Sequence, residues 1–496
     1  MRRRELCLSL AAIGALPGLP ALAAPGAGPA ASGDALVRLA ARLRRLDEDG
    51  LDPAAYAIPS DAQATAEPAA WAMGVQRAAA AALSDLLLAR VRVPAERPDI
   101  LRDPSAVPVP RWQAELLEAS DPVRVIDRAA LLPPGAAALK AELARARALV
   151  AAGGWRPIPA GGTIEPGSSD PERVPALRDR LKAEDPVLAA APDGGDLYDV
   201  HLLDAVRRWQ DAQGLEVDGR VGAISLVALN RPAGARVDQL RVALDMRRAA
   251  ARPVSGRRIE VNIPDYQLLV LDGARTVLRM NVVVGRPARQ TPLLSVQMTA
   301  VQFNPPWGVP ERNAREDLLP KFRRNPAAMR AAGFRLYQYV GGERIEVDPT
   351  TVNWSELTPT NFPYYVRQDS GDSSALGRLK FIMPNGDDIY MHDTPDRGLF
   401  FRPDRAFSSG CIRLARPMEM LDVALDGMGW DRARMARAIE SRETRVLPIA
   451  RSVPVRLHYT TTVIEDGAVR VRPDIYGLDA AYARQMDRAA ARVAAR

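Results

Sequence analysis

Cysteine is nearly absent from this chain, whose 496 residues hold only two, Cys7 and Cys411. That excludes a disulfide framework. Cys7 lies in a short apolar stretch, Leu6 to Leu22, that follows Arg2-Arg3-Arg4 and ends at Ala21-Leu22-Ala23. A basic start, a short apolar run and a small-x-small site are the marks of a cleavable export signal, expected over residues 1–24. Its removal would leave Cys411 alone. An unpaired thiol in an exported protein is exposed to oxidation, so its retention points to chemistry.

Other scarcities narrow the choice further. Long apolar runs are missing: Pro17, Gly18 and Pro20 interrupt the first, and none reaches the ~20 residues of a membrane span. The expected location is therefore the periplasm, with membrane attachment only if the signal stays uncleaved. Histidine occurs three times. A structural zinc site needs about four Cys or His ligands at short spacings, and no such cluster is present, so neither metal nor cofactor is expected. Lysine stands only at 140, 182, 321 and 380, and the net charge of +7 comes largely from arginine. No basic block is interleaved with aromatics, which argues against a nucleic-acid partner. The diffuse positive charge suits a carboxylate-rich polymer.

The chain is too long for one core, and its patterning divides it. From Asp34 to about Leu149 apolar residues recur at three- and four-residue steps, as at Leu36, Leu39, Leu43 and Leu46, which predicts a helical scaffold over 34–173. Gly153 to Pro171 reads as a loop. A compact unit follows over 174–232, with helices expected at Val174 to Lys182, Leu202 to Gln213 and Gly222 to Leu229. Beyond Arg257 the period changes to strand: Ile259, Val261 and Ile263 alternate with polar residues. Further strands are expected at Tyr266 to Leu271, Thr276 to Val284, Ser295 to Phe303, Lys380 to Met383 and Asp388 to His392. This predicts a mostly-β domain, sandwich or barrel, over 257–450, with an insertion at about 313–375. Leu318 to Ala332 reads as helix, and Tyr337 to Asp372 shows no steady alternation and reads as an irregular lid whose aromatics, Trp354, Phe362, Tyr364 and Tyr365, would cover a bound substrate. A strand pair and a helix are expected over 451–496. The fold class is thus multidomain α+β.

The chemistry gathers in two short segments. His392 lies in Tyr390-Met391-His392-Asp393-Thr394-Pro395, and Cys411 in Ser408-Ser409-Gly410-Cys411-Ile412-Arg413. A cysteine attacks a carbonyl as thiolate, so it needs a base, which His392 supplies if the two segments run side by side. The N–H groups of Gly410 and Cys411 are candidates for holding an oxyanion. Arg413 offers a fixed charge to a substrate carboxylate or to the thiolate.

These segments resemble the active site of the L,D-transpeptidases of the YkuD-domain family, whose pattern is His-Gly/Asp-Thr followed by Ser-His-Gly-Cys-x-Arg. The segments 261–264, 283–287, 303–310 and 317–320 are similar to the large periplasmic subclass. Residues 209, 210, 214, 215, 218, 219 and 222 resemble a three-helix peptidoglycan-binding module, with Trp209, Gln210 and Asp218 as its marks. The resemblance implies Cys411 as nucleophile and His392 as base, its ring oriented by a main-chain carbonyl. Gly410, Ser409, Arg413, Tyr390 and Trp307 would form the oxyanion and substrate-binding set. It implies peptidoglycan tetrapeptide stems as donor and acceptor, 3→3 cross-links as product and carbapenem-type β-lactams as inhibitors. Ser409 replaces the second histidine of the family pattern, and Asp393 is expected to face solvent or a backbone group. The same residues would also serve carboxypeptidase, exchange or protein-attachment chemistry, and a non-catalytic wall-binding protein is the alternative of another class.

Overall fold

The computed structural model describes residues 33–494 except 214, 252–254 and 403, so the expected signal peptide and the module's Gly214 lie outside the described residues. Strands β1 (Arg257–Asn262), β2 (Gln267–Asp272), β3 (Arg275–Gly285) and β4 (Leu294–Phe303) open the C-terminal half. The interposed β5 (Trp307–Gly308), β6 (Phe334–Val340), β7 (Glu343–Val347) and β8 (Tyr365–Gln368) form a separate sheet in the order β5-β8-β6-β7. Then come β9 (Leu379–Ile382), β10 (Met391–His392), β11 (Ala406–Ser408), β12 (Ile412–Leu414) and β13 (Arg445–His458). The main sheet runs β11-β3-β12-β10-β9-β4-β13-β1-β2, and β2 pairs again with β3, closing a barrel from which β11 stands aside.

Period-2 alternation explains the barrel. Ile259 and Val261 on β1 and Leu268 and Val270 on β2 are fully buried, whereas Arg258 and Glu260 are not. The inward residues share one core with Met420, Leu421 and Met435 from the helices Pro417–Ala424 and Arg432–Glu440. Phe303 stacks on Trp430 at 5.5 Å between ring centroids.

Three expectations are corrected. The barrel does not end at residue 450: β13 pairs parallel with β1 through His458 and antiparallel with β4, so Val453 onward is barrel wall, and the appended pair is β14 (Thr462–Glu465) with β15 (Ala468–Val471). The strand expected from Asp388 shrinks to Met391–His392, because the Asn385 side chain bonds the main chain of Met383, Asp387 and Ile389 and holds that stretch as a loop. The segment Tyr337 to Asp372 is not an irregular flap. It supplies most of β6, with β7 and β8, and Gly341-Gly342, both at positive φ, make the two-residue hairpin turn between β6 and β7.

The insertion is a small capping subdomain with its own core, as the resemblance to the large periplasmic subclass implies. It begins at Trp307 rather than near 313, since Trp307 pairs with Gln368. Phe322 is fully buried and stacks on Trp354 at 4.6 Å, and Phe334, Phe362 and Val366 complete the cluster. Trp354 and Phe362 therefore pack inside the cap and are not free to fold over a ligand.

In the N-terminal half, helices 33–43, 68–88, 109–118 and 122–130 enclose one core. The helix Ala136–Ala151 packs instead on Ala233–Arg247, through Leu139, Leu143, Leu240 and Leu244. The unit over 174–232 has helices Arg173–Lys182, Val200–Gln213 and Ala223–Leu229 around Leu177, Leu202, Val206 and Leu229. Among the described residues no helix is long and apolar enough to cross a membrane.

Candidate active site

Strand pairing builds the site. β10 runs parallel to β12 with Met391 opposite Ile412 and His392 opposite Arg413, and antiparallel to β9 with His392 opposite Lys380. Directly opposed residues place their side chains on one face. Lys380, His392 and Arg413 thus form a row across three strands, and Cys411 precedes the first paired residue of β12. The Ile412 N–H donates to the Tyr390 carbonyl at 3.1 Å, which fixes Cys411 beside Tyr390.

Gly410 makes the turn into the nucleophile. Its φ is 120°, and a Cβ there would lie 3.0 Å from Ile389 Cδ1, so a side chain is excluded by conformation and by space. The loop is pinned from three sides. The Ser408 hydroxyl donates to the Cys411 carbonyl at 2.6 Å, the Gly410 N–H donates to Ser408 Oγ at 3.1 Å, and Thr291 Oγ1 donates to the Gly410 carbonyl at 2.7 Å. The expectation that the Gly410 N–H aims at an oxyanion is corrected, because Ser408 takes that donor. The Cys411 N–H is left as the candidate main-chain donor.

The imidazole of His392 is buried, and Nδ1 donates to the Asp393 carbonyl at 2.5 Å, leaving Nε2 as the acceptor of the neutral ring. Burial, Arg413 and Lys380 together hold its pKa down to about 3, although the Asp393 carbonyl acts the other way. Asp393 itself does not face solvent. Its carboxylate accepts from the N–H groups of Thr394 at 2.7 Å and Arg378 at 2.9 Å and pairs with Arg397 at 2.5 Å, so it shapes the loop and does not touch the imidazole by its side chain.

Burial pushes the Cys411 thiol above its ordinary value, against the opposing pull of the Tyr390 N–H and hydroxyl, Lys380 and Arg413. The S–H lies 3.9 Å from the carbonyl of Asp388, a residue in left-handed backbone at φ 53°. Tyr390 lines the cleft with Cys411 and Trp307, and its ring lies under the Lys380 ammonium. A neutral thiol and a neutral imidazole on neighbouring strands of one cleft can serve as nucleophile and general base, with the Cys411 N–H as candidate oxyanion donor.

Cys411, His392, Ser409, Arg413, Tyr390 and Trp307 line one cleft of about 1180 Å³, closed on its far side by the cap residues Tyr339, Tyr364 and Tyr365. Gly410 sits behind it. The structure does not bring Trp209, Gln210 and Asp218 there. Trp209 is buried in the module's core. Gln210 spends its amide on Asp218 at 2.9 Å, the Arg220 carbonyl at 3.0 Å and the Gly219 N–H at 2.8 Å. Trp209 thus belongs to the module's core, and Gln210 and Asp218 frame its turn.

Sequence reasoning missed three residues. Lys380 lies within the row, and its one signal is polarity in the otherwise apolar Leu379-Lys380-Phe381-Ile382. Asp388 contributes a carbonyl, which no side-chain pattern reveals. Arg289 donates to Ser409 Oγ at 2.9 Å while paired with Asp317 at 2.6 Å, joining the nucleophile loop to the cap. Among the described residues no three His, Cys, Asp or Glu side chains are arranged to hold a metal ion.

Residues 256–433 match the family model of the L,D-transpeptidase catalytic domain, YkuD. A curated protein of Haemophilus influenzae, named "Putative L,D-transpeptidase", is 39% identical over 239 residues, 48% of this chain and 48% of its own length. The chain thus spans about half the length of that relative. Two crystal structures are also similar. An L,D-transpeptidase of Xylanimonas cellulosilytica matches at 17% identity and TM-score 0.20, over 60% of this chain and 98% of its own. One of Stackebrandtia nassauensis matches at 10% and 0.22, over 62% and 100%. Alignments this distant carry no argument about the site.

Proposed function

We propose that this protein, whose residues 256–433 match the family model of the L,D-transpeptidase catalytic domain, joins peptidoglycan stem peptides by 3→3 cross-links through a Cys411 thioester. The observation that carries the reading is the pairing of β10 with β12, which sets Cys411 next to a neutral His392 whose free Nε2 belongs to the same cleft.

In the first half-reaction Nε2 of His392 takes the Sγ proton while sulfur attacks the carbonyl joining the third residue of a tetrapeptide stem to its terminal D-Ala. Negative charge develops on the carbonyl oxygen, and the Cys411 N–H is the candidate donor to meet it. Collapse breaks the C–N bond, the imidazolium returns its proton to the leaving amine, and D-Ala departs. In the second half, the side-chain amine of a neighbouring stem attacks the thioester carbonyl, loses its proton to Nε2 and expels the thiolate, which recovers that proton. The donor peptide bond supplies the driving force, so no nucleotide is consumed. Arg413 supports carboxylate binding, the unit over 174–232 serves as a wall-binding module, and export by the N-terminal signal delivers the chain to the periplasm.

Incubation with a carbapenem followed by intact-mass spectrometry tests the reading. One β-lactam adduct is expected on the parent and none on Cys411→Ala. His392→Ala should be acylated about 10²–10⁴-fold more slowly with folding retained. A parent that gains no adduct would overturn the proposal in favour of a non-catalytic wall-binding protein.

A further inference from the structure

Lys380 sits on β9 opposite His392 and lines the cleft. Its ammonium rests on the face of the Tyr390 ring, 3.8 Å from the centroid, within the range of a strong cation–π contact. Among the described residues no carboxylate lies within ion-pair distance of it, and the same holds for Arg413, whose Nε is buried without a partner; Asp388 and Asp396 act on the two cations from further off. Most buried guanidinium groups elsewhere in the protein are paired, Arg97 with Asp99 and Arg248 with Asp245 for example. Two cations on either side of one imidazole, offset only by the more distant Asp388 and Asp396, favour a negative charge between them.

The charged and titratable groups that bear on the Cys411 sulfur come from every element around it. Lys380 stands on β9, Asp387, Asp388 and Tyr390 on the loop before β10, His392 on β10, Asp396 beyond it and Arg413 on β12, with Glu311 and Arg312 across the cleft. Arg289 is neutralised by Glu316 and Asp317. The negative charge that fits is the one formed at the sulfur during attack.

We propose that Lys380 is an electrostatic positioning residue for Cys411: seated on Tyr390, whose carbonyl accepts from the Ile412 N–H next to Cys411, it favours the thiolate and holds the tyrosine ring in place. The inference rests on Cys411 being the nucleophile. Lys380 acts in two ways from this position. Its charge favours thiolate over thiol, consistent with its attraction to the Cys411 sulfur, and it disfavours protonation of His392, so the base stays available. Lysine suits the task because a compact ammonium fits over one ring without presenting the wider donor fork of arginine.

The test is iodoacetamide alkylation of the full chain between about pH 6 and 10, read on the peptide that carries Cys411, since only the thiolate reacts. Lys380→Met and Lys380→Gln should shift the profile upward by about one pH unit, a roughly tenfold slower reaction on its rising limb, while Lys380→Arg stays closer to the parent. Circular dichroism establishes which neutral variant is folded, and a folded one with the parent's profile would overturn the proposal. A carbapenem arm separates the two readings. If Lys380 is wrong, the parent still gains its adduct; if Cys411 is not the nucleophile, the parent gains none.

Discussion

The depressed basicity of His392 yields a pH prediction that distinguishes this site from an ordinary histidine-assisted one. With a pKa of about 3, the imidazole is about 99% neutral at about pH 5. An unperturbed histidine at about 6.5 would be only about 3% neutral there, so its rate would fall by roughly thirtyfold from the neutral plateau. Stopped-flow acylation of the parent by a carbapenem should accordingly change by less than about twofold between about pH 7 and pH 5. The cause can be dissected as well. Burial comes first, then Arg413 and Lys380, so removing one cation should move the acid limb upward without bringing it to an ordinary value. The same group destabilises the fold in acid. The unfolded chain binds the proton near 6.5 and the folded chain only near 3, so stability is lost as pH falls through that window, and His458, held down to about 4 by burial, acts in the same direction. Circular dichroism at each pH therefore accompanies the kinetics. An acid limb centred near about 6.5, with the fold intact, would refute the neutral-imidazole reasoning.

Three further outcomes follow from packing. Phe322→Ala removes a fully buried ring stacked on Trp354 and should cost the cap about 3–5 kcal/mol. Because that core is separate from the barrel's, limited proteolysis should cut the insertion while the Cys411 adduct persists and the ratio of cross-link to hydrolysed tripeptide falls; an unchanged ratio would exclude a role for the cap in choosing the acceptor. Gly410→Ala forces a side chain into a φ of 120° against Ile389, a strain of about 1–3 kcal/mol, so acylation should slow and the barrel's melting temperature should fall by several degrees; a parent-like rate and melting temperature would show that the turn absorbs the side chain. Gln210→Ala breaks three bonds of the module's turn and should cost about 1–3 kcal/mol of stability while leaving sacculus binding intact below the melting transition. Lost binding with unchanged melting would instead give Gln210 a ligand-contacting role.

Much of this arrangement was legible in the residues. Alternation at Ile259, Val261 and Ile263 announced a mostly-β domain, and the barrel follows because burial selects one face of each strand. The grouping of His392 with the Ser408 to Arg413 segment was equally plain, since few residue types perform acyl transfer and this chain has few of them. What escaped depended on partners distant in sequence. Pairing of β13 with β1 joins residues nearly two hundred positions apart, which no local pattern records. Within the cap, Tyr337 to Asp372 was misread as irregular because Gly341-Gly342 looks like a break when its flanking strands are short and half exposed. The Gly410 N–H was assigned to an oxyanion because a glycine before a nucleophile suggests an open backbone, whereas the Ser408 hydroxyl two residues earlier already uses it. Trp209, Gln210 and Asp218 mark the module by holding its turn, and a motif of that kind does not reveal whether its residues face a ligand.

The central claim concerns what Cys411 makes. Purified full-length protein incubated with tetrapeptide-rich muropeptides, followed by separation and mass spectrometry of the products, measures it without an inhibitor as proxy. The account expects dimers linked 3→3 with release of D-Ala from the parent, and neither product from Cys411→Ala. Dimers of that linkage formed by Cys411→Ala would contradict it.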